Sequence, residues 1–269
     1  MIQSHNALVP VLYLRKHFKT DVPIKPAKLY ATAQGAYNVL INGKLISDSL
    51  LSPGWTDFNK TIQYQAYDVT KLMSIHQGND YILGAILGTG WFSGYIGFWN
   101  KANHYGSEQS LLLELHIQYE NNKKIIVKSD DTWRVNTGPV IYSDMLMGHL
   151  YYENREINGW ATPGYDDKNW LSVVTKPIDK KIAFVADRAQ PIRVTQELKP
   201  KTKWQSKPGV WVFDFEQNFV GWISLKVPSS VKTARIQLRH AEVLYPNGTI
   251  YTLNLRAALA TDTYVLNSI

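Results

Sequence analysis

The sequence lacks cysteine and long apolar runs. None of its 269 residues is cysteine, which excludes disulfide-stapled scaffolds, thiolate metal sites and cysteine nucleophiles. No stretch approaches the roughly 18 consecutive apolar residues of a membrane-spanning helix, so we expect no membrane partner. Residues 1–6 show neither the basic start nor the apolar core of a signal peptide. They favour a cytoplasmic protein if the chain begins here and a secreted one if a leader precedes it.

Helical periodicity is also scarce. No window longer than about ten residues places apolar side chains at the spacing of an amphipathic helix. Short alternating runs bounded by Gly, Asn, Asp or Pro recur instead, which is typical of β-sandwiches and barrels. One such run ends at Asn42-Gly43, the dipeptide most typical of a two-residue hairpin turn. A second pair of runs flanks Asn121-Asn122. The sequence therefore predicts an all-β fold.

Charge of one sign is in modest excess. The chain has 29 lysines and arginines against 22 aspartates and glutamates, which gives a formal net charge of +7. A nucleic-acid-binding protein concentrates such an excess on one face or in one run. Here the densest basic clusters are the pairs Lys123-Lys124 and Lys180-Lys181. We interpret the excess as a solvated surface and expect no nucleic-acid partner.

Recognisable catalytic motifs are missing as well. The 7 histidines are scattered and never show a metal-ligand spacing, and no nucleophile elbow, phosphate loop or dinucleotide fingerprint occurs. Two adjacent carboxylate pairs, Asp130-Asp131 and Asp166-Asp167, raise the question of a glycosidase acid–base pair. Neighbouring residues on a strand point to opposite faces, so we interpret both pairs as structural. The sequence offers no catalytic residue.

Aromatic residues, by contrast, are abundant, with 9 Trp, 16 Tyr and 8 Phe. Residues 90–100 concentrate them and include Trp91, Tyr95 and Trp99, with glycines that keep a loop open. Exposed rings on a loop can stack on the apolar face of a sugar. The alternative is that the same rings form one edge of a sandwich or an interdomain contact. The residues alone leave both possibilities open.

A domain boundary is predicted between Lys176 and Lys207. Three prolines and a lysine-rich, apolar-poor segment fall in this stretch, and a fourth proline, Pro208, directly follows it. Proline collects at sheet edges and in linkers. We divide the chain into a first domain at residues 1–185 and a second at 186–269.

An ordered set of short motifs runs through about residues 10 to 266. The motifs are GAYNVLINGK (35–44), LSPGWTDF (51–58), YQAYDVT (64–70), LGTGWFSG (87–94), PGYDD (163–167), VFDFEQNFVGW (212–222), RHAEVL (239–244), NLR (254–256) and ATDTY (260–264). In this order they resemble the N-terminal, non-catalytic part of bacterial α-L-rhamnosidases, glycoside hydrolase family 78. One such string would be weak evidence, but the ordered set is specific.

The resemblance implies two β-sandwich domains. The first is similar to the jelly-roll module that in some relatives binds L-rhamnose through a calcium ion. The second is similar to the concanavalin-like sandwich that precedes the catalytic domain. In the family, hydrolysis with inversion takes place in an (α/α)₆ barrel further along the chain, and none of that barrel is present in these residues. We therefore interpret the chain as a fragment or truncated product, inactive alone, whose second domain lacks a closing strand.

The expected partners are rhamnose-containing glycosides and the catalytic barrel. The candidate carbohydrate-binding residues are Trp91, Tyr95, Trp99 and Asp57, and Asp57 is the candidate calcium ligand. Two alternatives remain, a stand-alone rhamnose-binding module and a purely structural pair of packing domains.

The sequence also departs from the family pattern. Where the family often has Gly-Glu-x-Tyr-Asp, residues 148–152 read Gly-His-Leu-Tyr-Tyr, so two acidic positions are lost. Asp57 is followed by Phe58, which offers no side-chain oxygen, whereas calcium takes six to eight oxygen ligands. Asp57 fits equally well as a residue that caps a turn.

Overall fold

The computed structural model describes residues 8–20, 24–75, 78–97 and 101–267. Its strands are β1 (Leu12–Lys19), β2 (Ile24–Gln34), β3 (Ala36–Ile41), β4 (Lys44–Leu45), β5 (Thr61–Asp68), β6 (Asp80–Gly88), β7 (Ser110–Tyr119), β8 (Lys124–Lys128), β9 (Arg134–Thr137), β10 (Val140–Asp144), β11 (Gly148–Tyr152), β12 (Leu171–Ser172), β13 (Ala183–Ala186), β14 (Thr202–Lys207), β15 (Val210–Asp214), β16 (Thr233–Arg239), β17 (Val243–Leu244), β18 (Ile250–Tyr251) and β19 (Thr261–Asn267). The helical segments are α1 (Thr70–Ser74), α2 (Gly90–Ser93) and the 3-10 turns Glu153–Arg155 and Leu253–Leu255. The predicted all-β fold is confirmed.

Two sheets form the first sandwich. One has the strand order β12-β9-β1-β6-β3-β4 and the other the order β13-β5-β2-β7-β8. Alternate residues of the central strands point inward and are fully buried, among them Leu29, Leu83, Leu115 and Ile117. This burial of one face per strand explains the alternating sequence pattern.

Both predicted hairpins are present. Asn42 and Gly43 have φ angles of 47° and 78°, and Ile41 pairs with Lys44 across them, as a two-residue turn with two left-handed positions requires. In the second hairpin Asn122 has a φ of 63°, and β7 continues antiparallel into β8. The turn residues therefore set the register of both hairpins.

The outer face of the six-stranded sheet is covered by residues 139–170. Tyr13 on that face packs edge-to-face against Trp160, with ring centroids 5.3 Å apart. Beside it the buried Arg15 donates to the Trp160 carbonyl oxygen at 2.8 Å and forms an ion pair with Asp167. Lys16 similarly pairs with Asp130 at 2.7 Å. Asp130 and Asp167 thus anchor loops to β1, which confirms their structural interpretation.

A third sheet links the two predicted domains. Its order is β10-β11-β19-β16, and β11 pairs in parallel with β19, so that Leu150 lies opposite Thr263. The strand β13, which spans the predicted boundary, pairs in parallel with β5 of the first sandwich. Sheet pairing therefore crosses the boundary in both places, and the division at residues 185 and 186 stays a prediction.

The last hundred residues are packed differently from the first sandwich. Among residues 171–266, Val212 and Thr263 are the two buried ones. Large apolar side chains are exposed instead, including Trp211 at 53%, Trp222 at 56% and the fully exposed Val220. Within the described ranges no helix is both long and apolar enough to cross a membrane.

Candidate functional site

The aromatic segment that the sequence singled out begins with a helical turn. Gly90 has a φ of 51°, and a Cβ at this position would lie 2.6 Å from the Ala36 backbone nitrogen, so only glycine allows this close approach. The turn α2 then buries Phe92 and Ser93. The expectation of an open loop is therefore wrong for residues 90–93, because Phe92 packs into the protein.

Phe92 belongs to an aromatic cluster beneath the surface. Its ring lies edge-on to Phe58, with centroids 5.5 Å apart, and Phe58 also contacts Tyr105 at 5.2 Å. Ile62 on the outward face of β5 completes the buried part. This cluster holds Phe58, Phe92 and Tyr105, and with them the segment 51–58 and the turn α2, against each other.

Two tryptophans stack above this cluster. The rings of Trp55 and Trp91 lie 5.2 Å apart and are within 10° of parallel. The Trp55 indole N–H donates to the Tyr105 hydroxyl at 3.1 Å, which fixes the orientation of the ring. Trp55 is 53% exposed, and Trp91 is half-buried. The pair presents a flat, oriented aromatic surface to solvent.

The other predicted aromatic residues lie elsewhere. Tyr95 is buried, with 5% of its surface exposed, so its ring is not available to a ligand in this arrangement. Its backbone N–H donates to the Asp144 carboxylate at 2.7 Å. Trp99 lies outside the described residues. Of the three predicted rings, the structure brings Trp91 to the surface and pairs it with Trp55, which the sequence analysis did not single out.

Asp57 caps a turn. Its carboxylate accepts the Asn59 backbone N–H at 3.1 Å and lies 3.3 Å from the Lys60 ammonium group. Over the described ranges no group of three His, Asp or Glu side chains is arranged to hold a metal ion. Asp57 therefore belongs to no such group there, and its coordination of calcium stays a prediction.

Asp144 holds the turn between β10 and β11. One carboxylate oxygen accepts the backbone N–H groups of Leu146 and Met147, both at 2.9 Å, and the other accepts that of Tyr95. Asp144 is 8% exposed, so these bonds are shielded from water. This one carboxylate ties the aromatic segment to the β10–β11 turn.

The start of β11, just after this turn, contacts β19 at Asp262. The Asp262 carboxylate accepts the His149 backbone N–H at 3.1 Å, and it lies 3.0 Å from His149 Nδ1 and 3.1 Å from His240 Nε2. Partial burial alone would raise the pKa of Asp262, but hydrogen bonds from both histidines outweigh it and hold the pKa well below its usual range. Asp262 therefore stays ionised between its two imidazole partners.

Comparison with known proteins identifies the family. The family model of the α-L-rhamnosidase N-terminal domain matches residues 22–196, and that of the bacterial α-L-rhamnosidase concanavalin-like domain matches residues 204–268. The chain belongs to the bacterial α-L-rhamnosidase family. The resemblance seen in the sequence motifs is confirmed.

Curated relatives include α-L-rhamnosidases from Streptomyces avermitilis and Alteromonas sp. The first is 41% identical over 90% of this chain and 23% of its own length, and the second is 35% identical over 97% of this chain and 28% of its own length. The chain therefore spans about a quarter of the α-L-rhamnosidases that it matches.

Solved structures agree with this placement. The Streptomyces avermitilis α-L-rhamnosidase complexed with L-rhamnose superposes with a TM-score of 0.87 at 37% identity, over 97% of this chain and 25% of that one. The native Aspergillus terreus α-L-rhamnosidase gives 0.86 at 33% identity, over 97% and 30%. These neighbours confirm the β-rich fold, and the chain again spans only about a quarter to a third of each of them.

Sequence reasoning missed two features of this α-L-rhamnosidase region. It did not select Trp55, although the motif at 51–58 contains it, because the stacking depends on contact with a distant loop. It also treated the histidines as scattered, whereas folding brings His149 and His240 to one carboxylate. The departure at residues 148–152 was the available signal, and the structure shows that it lies at the joint with β19.

Proposed function

We propose that the chain serves an α-L-rhamnosidase as its non-catalytic accessory region. Hydrolysis of terminal α-L-rhamnosides then belongs to a catalytic region of the same enzyme. Two observations support this. Matched relatives are about four times as long as the matched segment, and in each of the two adjacent carboxylate pairs one member, Asp130 or Asp167, is engaged in an ion pair with Lys16 or Arg15.

The exposed apolar surface of the C-terminal part carries this proposal. Val220 is fully exposed, and Trp222 and Leu225 are exposed at 56% and 49%. Water-exposed apolar clusters of this kind are a sign of a surface that another polypeptide covers. We assign the catalytic region as the occupant, because about three quarters of the length of these relatives lies outside the matched part.

The experiment is to measure self-association and dye binding of the 269-residue chain. We expect concentration-dependent association and binding of a hydrophobic dye, both reduced in a Val220→Ser/Trp222→Ser variant. Ile126→Ser is the matched control, since Ile126 is 55% exposed on β8 of the first sandwich, and it should change neither. A wild-type chain that stays monomeric at high concentration without binding dye would contradict the proposal.

A second candidate function is carbohydrate binding by the first sandwich. The stacked pair of Trp55 and Trp91 favours it, because an oriented and exposed indole ring suits the apolar face of a pyranose. The Tyr105 hydroxyl lies 3.1 Å from the Trp55 indole nitrogen and is a polar group of the kind that binds sugar hydroxyls. We include Asp57, two residues after Trp55 in the chain, as a further candidate. L-Rhamnose and rhamnose-containing glycosides are the ligands we propose, from the relatives' names.

Titration calorimetry with L-rhamnose, with and without calcium, tests this second function. We expect binding in the millimolar-to-micromolar range that is lost in Trp55→Ala and in Trp91→Ala. Trp211→Ala is the control, since Trp211 is exposed to the same 53% but lies on β15. Dependence on calcium would support Asp57 as a ligand. Absence of heat in both conditions would reject sugar binding and leave a purely structural role.

A further inference from the structure

Three polar side chains meet where the two matched regions join. His149 is the second residue of β11, His240 directly follows β16, and Asp262 is the second residue of β19. Both histidines lie about 3 Å from the Asp262 carboxylate, on different oxygens. The side chains are partly buried, with 26%, 41% and 20% of His149, His240 and Asp262 exposed. The carboxylate is thus enclosed by two groups that can each take up a proton.

The backbone around this cluster is closely packed. Gly148 has a φ of 88°, and a Cβ there would lie 2.1 Å from the Thr261 carbonyl oxygen. The Ala260 N–H donates to the Leu146 carbonyl oxygen at 2.9 Å, and the His240 N–H donates to that of Ala260 at 3.0 Å. The cluster therefore lies at the point where the β11–β19 ladder begins.

We propose that His149, His240 and Asp262 form a protonation-dependent latch that holds strands β16 and β19 to the β10–β11 hairpin. An imidazole that takes up a proton becomes a cation about 3 Å from a carboxylate, and a charge-assisted hydrogen bond is stronger than a neutral one. Histidine in proteins changes its charge between about pH 5 and 8. The latch is tight at the acidic end of this range and loosens at the alkaline end.

Other charges near the latch do not reverse this direction. Tyr142 on β10 faces Asp262. The charges of Asp144 and of Arg235 on β16 also act on Tyr142. On its own strand Asp262 is faced by Tyr264, whose ring lies edge-on to His149 at 4.8 Å. Burial, followed by the Asp262 charge, raises the pKa of both tyrosines, so they stay neutral throughout this range.

The low pKa of Asp262 sets the acidic limit. A carboxyl whose pKa is lowered by folding contributes stability above its ordinary pKa and loses it only as the pH falls below that value. Asp262 therefore remains an anion from pH 8 to pH 5, and the latch fails only in stronger acid.

Amide hydrogen exchange of the full 269-residue chain tests the proposal. The protection factors of amides in Leu150–Tyr152 and in Thr263–Val265 are compared at pH 5.5 and pH 8, with the β3–β6 ladder, which contains no histidine, as internal reference. We expect the protection of these amides, divided by that of the reference amides, to be about tenfold lower at pH 8 than at pH 5.5. This is the size expected for two partly exposed charged hydrogen bonds.

Variants distinguish the latch from a merely structural contact. His149→Gln/His240→Gln keeps hydrogen-bonding side chains but cannot take up protons, so the change with pH should disappear. If the double variant folds poorly, the single variant His240→Gln, at the more exposed position, replaces it. It should halve the logarithm of the pH-dependent change in protection. His116→Gln is the control, because His116 forms an equivalent exposed pair with Glu114 at 2.8 Å far from the joint.

Two results would overturn the proposal. One is a wild-type ratio that is the same at both pH values. The other is an undiminished pH response in the well-folded glutamine variants.

Discussion

The carboxylate of Asp144 accepts the backbone N–H of Tyr95 at 2.7 Å. Tyr95 lies in the aromatic segment of the first sandwich, and Asp144 ends β10, so this bond joins the candidate sugar-binding surface to the hairpin that contacts β19. Thr89 adds a second connection, because its hydroxyl donates to the Ser143 carbonyl oxygen at 2.9 Å. These two hydrogen bonds therefore fix the segment 89–95 against the end of β10.

Replacing Asp144 should destabilise the chain strongly. Asp144→Ala leaves three backbone N–H groups without their acceptor in a water-poor site, which costs about 3 kcal/mol of unfolding free energy. Urea unfolding followed by tryptophan fluorescence measures it. Asp179→Ala is the control, because the exposed Asp179 accepts a single N–H from Lys181 at 2.9 Å and water can replace it. Equal midpoint shifts in the two variants would show that burial of Asp144 has no energetic role.

The buried Arg15 depends on Asp167. Asp167→Ala leaves a guanidinium group that is 3% exposed without its counter-ion, and we expect a loss of about 3 kcal/mol in unfolding free energy. The neighbouring Asp166 is 68% exposed and faces Lys168 at 3.5 Å, so Asp166→Ala should cost less than about 1 kcal/mol. Thermal or urea unfolding of the two variants compares them, and a larger loss for Asp166→Ala would refute the assignment.

Gly148 is required for the approach of β19. Gly148→Ala would place a methyl group 2.1 Å from the Thr261 carbonyl oxygen, so β11 and β19 should separate and residues 233–267 should become sensitive to protease. Gly164 has a similar φ of 84° with open space around it. Gly164→Ala therefore carries the same backbone strain without the collision, and its C-terminal region should remain resistant. Resistance in both variants would mean that the close contact is not needed.

Tyr13 makes stability sensitive to alkali. Burial, and then the negative charge of Glu156, raises the pKa of Tyr13 to about 12. Because its pKa is raised on folding, its contribution is complete below its ordinary pKa of 10.0 and is lost as the pH rises toward 12. Tyr13→Phe should therefore reduce the loss of unfolding free energy between pH 10 and 11.5 by up to about 1.4 kcal/mol per pH unit. Parallel pH profiles for both proteins would contradict this.

The sequence predicted those features that local chemistry determines. Asn42-Gly43 specifies its hairpin because two adjacent residues adopt positive φ angles there, and alternation specifies the strands because each buries one face. The turn at Asp57 follows from an Asp side chain that accepts the N–H two residues later. The family resemblance came from motifs that run through both regions.

What the sequence did not predict depends on long-range packing. The helical turn at Gly90 exists because residues 90–93 meet the backbone at Ala36, and no local pattern encodes that contact. Trp55 stacks on Trp91 because the buried cluster around Phe58 positions the two segments that carry them. His149 and Asp262 are brought together by a parallel strand pair, which leaves no periodic signal in the sequence.

The central claim is that these residues support an α-L-rhamnosidase without catalysing its reaction. The most direct test is an assay of the purified 269-residue chain on 4-nitrophenyl α-L-rhamnopyranoside, with the Streptomyces avermitilis α-L-rhamnosidase as positive control. The account predicts no nitrophenol release above the uncatalysed rate at any chain concentration. Release that scales with chain concentration and follows its elution profile in size-exclusion chromatography would contradict it.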